Sequence, residues 1–389
     1  MIGNFPVERF RNIPTPFYFY DTELLQQTLE EINCQSQDEQ FHVHYALKAC
    51  SNPLVLDIIQ KAGIGADCVS GGEIKAALEA HIPANKIVYA GIGKTDEEIH
   101  FALDADIFCF NVESLPELEI INEIARSKNK IANIAIRVNP HVDAHTHHYI
   151  TTGLEENKFG IDHTLLSDAL NIAIQMNNIN IIGLHFHIGS QITDMSAFQD
   201  LCVRINDLQD EIEAQGLHLQ HINVGGGLGI NYEHPNHFPI ADFEGYFKVF
   251  RKNLKLRPRQ QLHFELGRSI VGPCGSLITK VLYIKKGINK QFAIVDAGMN
   301  NLIRPALYGA YHRIENLTSE KPYQLYDIVG PICESADTFI KDYKIHEAQR
   351  GDLLAIRSTG AYGEVMASNY NLRNTLKAYT SEFINQLTE

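Results

Sequence analysis

Three short runs carry the residues whose types and spacing could do chemistry: HYALKAC with Lys48, HINVGGG with Gly225, Gly226 and Gly227, and LHFELGR with Glu265 and Arg268. A lysine amine forms a Schiff base with an aldehyde when its surroundings keep part of it neutral. Taken alone, Lys48 reads more simply as a salt-bridged lysine at a strand end. Three glycines without Cβ atoms let backbone N–H groups approach a phosphate, although a tight turn between strand and helix uses glycine in the same way. The run is not G-x-G-x-x-G, and the stretch about 20 residues beyond it offers only Asp242 as an acidic partner, so a nicotinamide site is disfavoured. A carboxylate beside a pyridine nitrogen favours its protonated form and makes the ring a better electron sink, which is a role open to Glu265. Arg268 could meet a phosphate or a substrate carboxylate, and either residue singly could belong to an ion pair that closes the fold. Together the three runs suggest a site for a phosphorylated cofactor with an aldehyde and a ring nitrogen.

Secondary candidates surround these. His185 and His187 alternate on one face of IIGLHFHIG, a geometry compatible with two metal ligands, with an imidazole stacked on a flat ring, or for His185 with a lone core histidine. Metal is the weaker reading, because no third ligand is placed and the histidine-rich HVDAHTHH reads as a polar loop. No metal is therefore expected. Arg304 and Tyr308 in NNLIRPALYGAYH, Cys333 and Glu334 in GPICESAD, and Tyr362 in GAYGEVM lie in Gly/Pro-rich loops, where function concentrates. As a set they offer cations or donors for carboxylates, an anion for an ammonium group and a thiol, which suits a small zwitterion charged at both ends.

The elements that must position these groups follow from hydrophobic periodicity. Strand-like runs recur at FHVHYAL, GADCV, KIVYA, DIFCF, NIAIRV, IIGLHF, QHINV and QLHFEL, separated by helix-like stretches such as GEIKAALEA and FQDLCVRINDLQDEIEAQ. Eight strand-then-helix units favour a closed (β/α)8 barrel over an open doubly wound sheet, and the three chemical runs then fall at strand ends, where such barrels place active sites. His44, Ala46 and Lys48 should share one face of their strand. After about residue 270 the texture turns to β-branched and aromatic segments broken by Gly and Pro. The expected class is α/β plus β: a barrel over 25–270 and a β-rich domain made of 1–24 and 271–389. TPFYFYDT reads as a further strand that joins the C-terminal sheet.

Composition bounds the alternatives. The formal charge of -14, from 33 basic and 47 acidic residues, disfavours a broad nucleic-acid surface. No apolar run reaches membrane-spanning length and MIGNFPVERF lacks the features of a signal peptide, so the expected compartment is the cytoplasm, with no membrane partner. Seven scattered cysteines without a C-x-x-C pair argue against a disulfide scaffold and a zinc knuckle, and most should be buried thiols.

Read as ordered motifs, the chain resembles the diaminopimelate decarboxylases, within the alanine racemase-like and ornithine decarboxylase-like group of pyridoxal-phosphate enzymes. HYALKAC, DCVSGGEI, RVNPHVDAHTHHYITTGLEENKFGI, GLHFHIGSQI, VGGGLGI, FELGRSIVG, VDAGMNNLIRPALYGAYH, GPICESADTF and GAYGEVMASNYNLR carry the resemblance over nearly the whole length. By that resemblance Lys48 would carry pyridoxal 5'-phosphate as a Schiff base, and His187 would stack on its ring. Asp67 and Arg137 would support the cofactor, Ser190, Gly225, Gly226, Gly227 and Arg268 would surround its phosphate, and Glu265 would meet its ring nitrogen. Tyr362 would lie near cofactor and substrate. Arg268, Arg304, Tyr308 and Glu334 would hold the amino-acid substrate, and Cys333 would donate a proton from the other subunit of a homodimer with shared sites. The implied reaction is decarboxylation of meso-2,6-diaminopimelate to L-lysine and CO2, the last step of lysine biosynthesis. Leu266, where the family usually has Pro, and Cys50, where Asn is common, depart from the pattern without removing a required group. Decarboxylases of ornithine, arginine or carboxynorspermidine, an alanine racemase and a non-catalytic cofactor carrier are the rival readings.

Overall fold

After a first strand, β1 (Phe17–Tyr20), each of the eight apolar runs forms a strand: β2 (Phe41–Ala46), β3 (Gly65–Cys68), β4 (Ile87–Tyr89), β5 (Cys109–Val112), β6 (Ala132–Asn139), β8 (Ile179–His185), β9 (His221–Asn223) and β10 (Gln261–Leu266), with a two-residue β7 (Ile161–Asp162) beside β6. This computed structural model describes residues 5–142 and 158–386. The order β2-β3-β4-β5-β6-β8-β9-β10 runs parallel throughout and returns from β10 to β2, so the sheet closes into an eight-stranded parallel barrel. Parallel neighbours need a crossover connection, and helices supply it.

Those helices form for legible reasons. Leu115–Ser127 buries Leu118, Ile121, Ile124 and Ala125 on one stripe, facing the sheet as three-and-four spacing requires. Ser70 and Ser114 cap the helices that follow β3 and β5 by accepting the N–H of Glu73 and Glu117, and Thr95 with Glu98 forms a reciprocal capping box. Each cap fixes the turn at the C-terminal end of a strand, where the chemical groups sit. A cluster of Phe41, Phe198, Tyr246, Phe247, Phe250 and Phe264 rings, mostly edge-on, packs the helices Ser196–Ala214 and Phe243–Asn253 against β2 and β10.

Toward the opposite strand ends, His44, His263 and His221 form a chain: His44 Nε2 lies 2.9 Å from His263 Nδ1, and His263 Nε2 lies 2.9 Å from His221 Nδ1. His44 Nδ1 is 3.1 Å from the Lys86 carbonyl, which only accepts. With all three rings neutral, protons must therefore sit on every Nδ1, and the hydrogen bonds run in one direction from His221 to Lys86. Burial pushes His44 and His221 down to about 4 and His263 well below its ordinary value.

The chain divides into two compact units, one made of Leu29–Gly229 with Asp242–Gly267, the other of Met1–Thr28, Ile230–Ala241 and Arg268–Glu389. The second unit holds one sheet of β11 (Gly275–Lys286), β12 (Gln291–Val295), β13 (Ile314–Asn316), β14 (Tyr323–Val329), β15 (Thr338–His346), β16 (Leu353–Ile356), β17 (Ala378–Thr380) and β1. β1 lies antiparallel to β11 and parallel to β17, with Tyr20 opposite Gly275 and Tyr18 opposite Ala378. Phe10, Phe17, Phe19, Ile278, Leu353, Ala355 and Ile384 make its core. Among the described residues no helix is long and apolar enough to cross a membrane. Five cysteines are buried, whereas Cys34 and Cys333 are exposed.

Candidate active site

Lys48 does not continue the face of β2. The strand ends at Ala46, and Lys48 lies in the single 3-10 turn Leu47–Ala49. That turn carries its amine to Asp67 of β3, Nζ to Oδ2 2.9 Å, with the lysine side chain 37% exposed and the aspartate fully buried. Asp67 Oδ1 is buried with no hydrogen-bond partner among the described residues. Burial and the charge of Glu265 push the Asp67 carboxyl up, while Lys48 opposes them.

Glu265 lies near the end of β10, 5% exposed. Its Oε1 accepts from Asn111 Nδ2 at 2.9 Å and Asn223 Nδ2 at 2.7 Å, and its Oε2 accepts from His185 Nε2 at 2.9 Å. Burial alone would raise its pKa; His185, followed by Lys48 and His187, more than offsets that and holds the carboxyl well below the usual range. A carboxylate accepts at about four lone-pair positions, so one position on Oε2 remains for a further donor. The three donors come from β5, β8 and β9, so a single carboxylate ties four strands of the barrel together. Neither Asn111 nor Asn223 stands out in the sequence as a candidate, whereas His185 does, as a metal ligand, a stacking imidazole or a core histidine rather than as a partner of Glu265.

The glycine run follows β9. Gly225 and Gly227 adopt φ of +68° and +110°, and a Cβ at Gly226 would lie 2.0 Å from the Glu265 carbonyl, so close packing against β10 demands glycine there. Gly225 N–H donates to Asn223 Oδ1 at 2.9 Å, and Gly226 N–H to His187 Nδ1 at 3.2 Å. Two of the three amides thus have intramolecular partners, and the turn also orients His187. Burial, followed by the charges of Arg137 and Lys48, holds His187 well below its ordinary pKa. With Nδ1 accepting, the neutral ring carries its proton on Nε2. Arg137, on β6, pairs with Glu113 at 2.7 Å, whose other oxygen accepts Gly160 N–H at 2.9 Å. Ser190 lies half-buried just beyond β8.

The other predicted residues belong to the second compact unit. Arg268 donates to Tyr232 Oη at 2.6 Å and lies 4.9 Å from the Tyr362 ring centroid. Arg304 is 7% exposed, with the rings of Tyr308 and Tyr362 at 5.8 Å and Tyr232 at 6.0 Å. No carboxylate among the described residues forms an ion pair with Arg304. Tyr232 joins both arginines and was not anticipated, since NYEHPN carries no recognisable motif. Tyr362 adopts φ of +57°, strained for a bulky residue. Cys333 and Glu334 occupy an exposed turn in which Cys333 N–H donates to Asn371 Oδ1 at 2.9 Å. Asp143, His145, His147 and His148 of the histidine-rich stretch fall outside the described residues.

The barrel's donor set fits pyridoxal phosphate. An amine held by a buried aspartate can meet an aldehyde, an ionised carboxylate with one free position can meet a ring N–H, and a buried aspartate oxygen has no other partner among the described residues.

Comparison with known proteins agrees. Residues 25–272 match the family described as "Pyridoxal-dependent decarboxylase, pyridoxal binding domain". The diaminopimelate decarboxylase of Bacteroides thetaiotaomicron is 59% identical over 383 residues, covering 98% of this chain and 99% of that protein. Its counterpart from Aquifex aeolicus is 43% identical, covering 92% and 84%. The crystal structure of diaminopimelate decarboxylase from Helicobacter pylori complexed with L-lysine superposes with a TM-score of 0.91 at 41% identity, covering 96% of this chain and 93% of that one. With a barrel built around Lys48 and Glu265, and likeness extending over nearly the full length, this chain belongs to the pyridoxal-dependent decarboxylase family, in its diaminopimelate decarboxylase branch.

Proposed function

We propose that this protein binds pyridoxal 5'-phosphate in a (β/α)8 barrel and releases CO2 from meso-2,6-diaminopimelate, giving L-lysine. The observation that carries the reading is Glu265, ionised inside the barrel by three fixed donors with one acceptor position to spare. When bound, pyridoxal phosphate supplies an aldehyde for amine capture and a ring that withdraws the electron pair left by CO2.

The protein's own groups do the rest. Lys48 would hold the cofactor through its amine, and Asp67 fixes the lysine's position. Glu265 would hold a proton on the ring nitrogen, because its own carboxyl is held too low to take that proton away. His187 presents a neutral ring face, with its plane set by Gly226 N–H. Ser190, Gly225, Gly226, Gly227 and Arg268 serve the phosphate, with Arg137 held in place by Glu113. Arg304, a buried cation ringed by aromatic side chains and without a carboxylate partner among the described residues, would gain a counterion from a substrate carboxylate. Tyr308, Tyr362 and Glu334 complete substrate recognition, Glu334 taking the distal ammonium. Cys333 protonates the substrate carbon from a second copy of the chain in a homodimer, a role consistent with its exposure in the single chain. The division into a cofactor domain over 25–270 and a β-rich domain of 1–24 and 271–389 goes with this assignment of roles.

The test offers meso-diaminopimelate, ornithine, arginine and carboxynorspermidine separately to the cofactor-loaded protein and measures CO2 and the amino-acid product. The proposal expects lysine and CO2 from the first alone. Release from another substrate would move the chain to a sister activity, and silence with all four despite bound cofactor would defeat the decarboxylase reading.

A further inference from the structure

Away from the Lys48–Glu265 cluster, the chain leaves β6 at Asn139 and re-enters the sheet at β7, and two histidines and a carboxylate meet where it does so. β7 pairs with the end of β6, Val138 opposite Ile161 and Asn139 opposite Asp162. His141 follows β6 at φ of +53°, its N–H bonded to Asn139 Oδ1 at 3.1 Å. Asp162 caps the next helical turn: its Oδ1 accepts both the N–H and the hydroxyl of Thr164, at 2.8 and 2.6 Å. Those bonds leave Oδ2 aimed at His141 Nε2, 2.7 Å away, while His163 Nδ1 lies 3.7 Å from Oδ1. The two imidazoles stand edge to face, centroids 4.6 Å apart at 89°. One ligand atom from each of the three residues lies within 4.8 Å of the others.

His141 Nε2 and His163 Nδ1 are both shielded from solvent, yet neither has a well-formed hydrogen bond among the described residues. The short contact from His141 to Asp162 has the separation of a hydrogen bond without its alignment. Shielded nitrogens almost always have a partner, and two of them converging on a carboxylate fit a shared cation better than a shared proton. The adjoining cavity, about 460 Å³, is bordered by Asp200 and Asp207 as well as Arg204. With Asp162 counted, the carboxylates around it outnumber the single guanidinium.

We propose that His141, Asp162 and His163 bind a divalent first-row transition ion, zinc foremost. Two imidazoles and one carboxylate match that ion's preference, and three protein ligands leave a position for water on the cavity side. Its role is to tie His141 to Asp162 and His163, which are well separated in sequence, since a cross-link gains entropic effect with the length of chain it closes. Such a site is independent of the substrate assigned above and takes no part in the reaction.

The experiment uses the full chain with pyridoxal phosphate bound, stripped with a chelator and titrated with Co²⁺ alone while the visible d–d bands are followed; Zn²⁺ is then added as competitor. The expected result is one Co²⁺ per chain, displaced by Zn²⁺, with affinity falling about tenfold or more in His141→Ala, Asp162→Asn and His163→Ala. The exposed His237→Ala should bind as the parent does. Zn²⁺ should also raise the melting temperature of the parent and leave that of His141→Ala unchanged. Retention of the cofactor's absorbance shows that each variant is folded. Binding that survives the His141→Ala/His163→Ala double variant, or that disappears instead with His147→Ala/His148→Ala, overturns the assignment. So does the absence of d–d bands, which would make His141 and Asp162 an ordinary ion pair.

Discussion

At the scale of residues, Glu265 shows how a buried carboxylate stays ionised: three short donors and nearby positive charge outweigh the desolvation that would otherwise neutralise it. Glu265→Gln keeps the size and one acceptor but removes the charge and puts an amide against one of the present donors. Its kcat should fall about 10²- to 10³-fold, the usual cost of losing one preorganised electrostatic partner, with cofactor still bound by absorbance. A kcat within a few-fold of the parent would remove Glu265 from its assigned role. Lys48, Glu265 and the glycines were legible in the sequence because each ends an apolar run. Asn111, Asn223 and Tyr232 were not, because a hydrogen bond to a residue in a distant part of the chain leaves no local trace. The alternation that singled out His187 also pointed to His185, and only the structure separates a histidine that holds Glu265 from one that rests on Gly226.

At the scale of elements, the eight strands were readable because a parallel barrel buries both faces and needs continuous apolar runs. Lys48 was misplaced by one element: periodicity extends a strand until the pattern breaks, and β2 stops two residues earlier in a tight turn. The polar chain from His221 to Lys86 crosses three strand starts and has a definite acid response. His44, His221 and His263 are held below their unfolded values of about 6.5. The stability they contribute is therefore complete above about pH 6.5 and is lost as pH falls toward the folded values of His44 and His221, about 4, and the still depressed value of His263. Urea midpoints should drop between about pH 7 and about pH 5, and His221→Asn should flatten that drop by removing one titrating member. A midpoint with the same pH slope in both proteins would show that the acid response arises elsewhere.

At the scale of the whole molecule, the change of texture near residue 270 marked the second unit, but the inclusion of Ile230–Ala241 in it was hidden. That stretch reads in sequence as an ordinary loop between a strand and a helix, and its affiliation rests on contacts such as Arg357 to Asn236 at 3.0 Å and Arg268 to Tyr232. The proposed dimer has a direct test. Lys48→Ala and Cys333→Ala should each be inactive alone, yet mixing them under exchange should restore about a quarter of the parent activity, since half the dimers are mixed and each has one complete site. No recovery after verified exchange would place Cys333 and Lys48 of one reaction on the same chain.

The pairing of β1 with β11 and β17 also bears on synthesis. Phe17–Tyr20 leaves the ribosome early, but the strand it pairs with is made roughly 250 residues later, on the order of 10 to 50 s at ordinary translation rates. Throughout that interval four consecutive aromatic residues have no sheet to join. The barrel strands, complete by Leu266, finish emerging before β11 does, so the earliest strand of the chain is among the last to find its place, and the pace of translation sets how long it must be shielded.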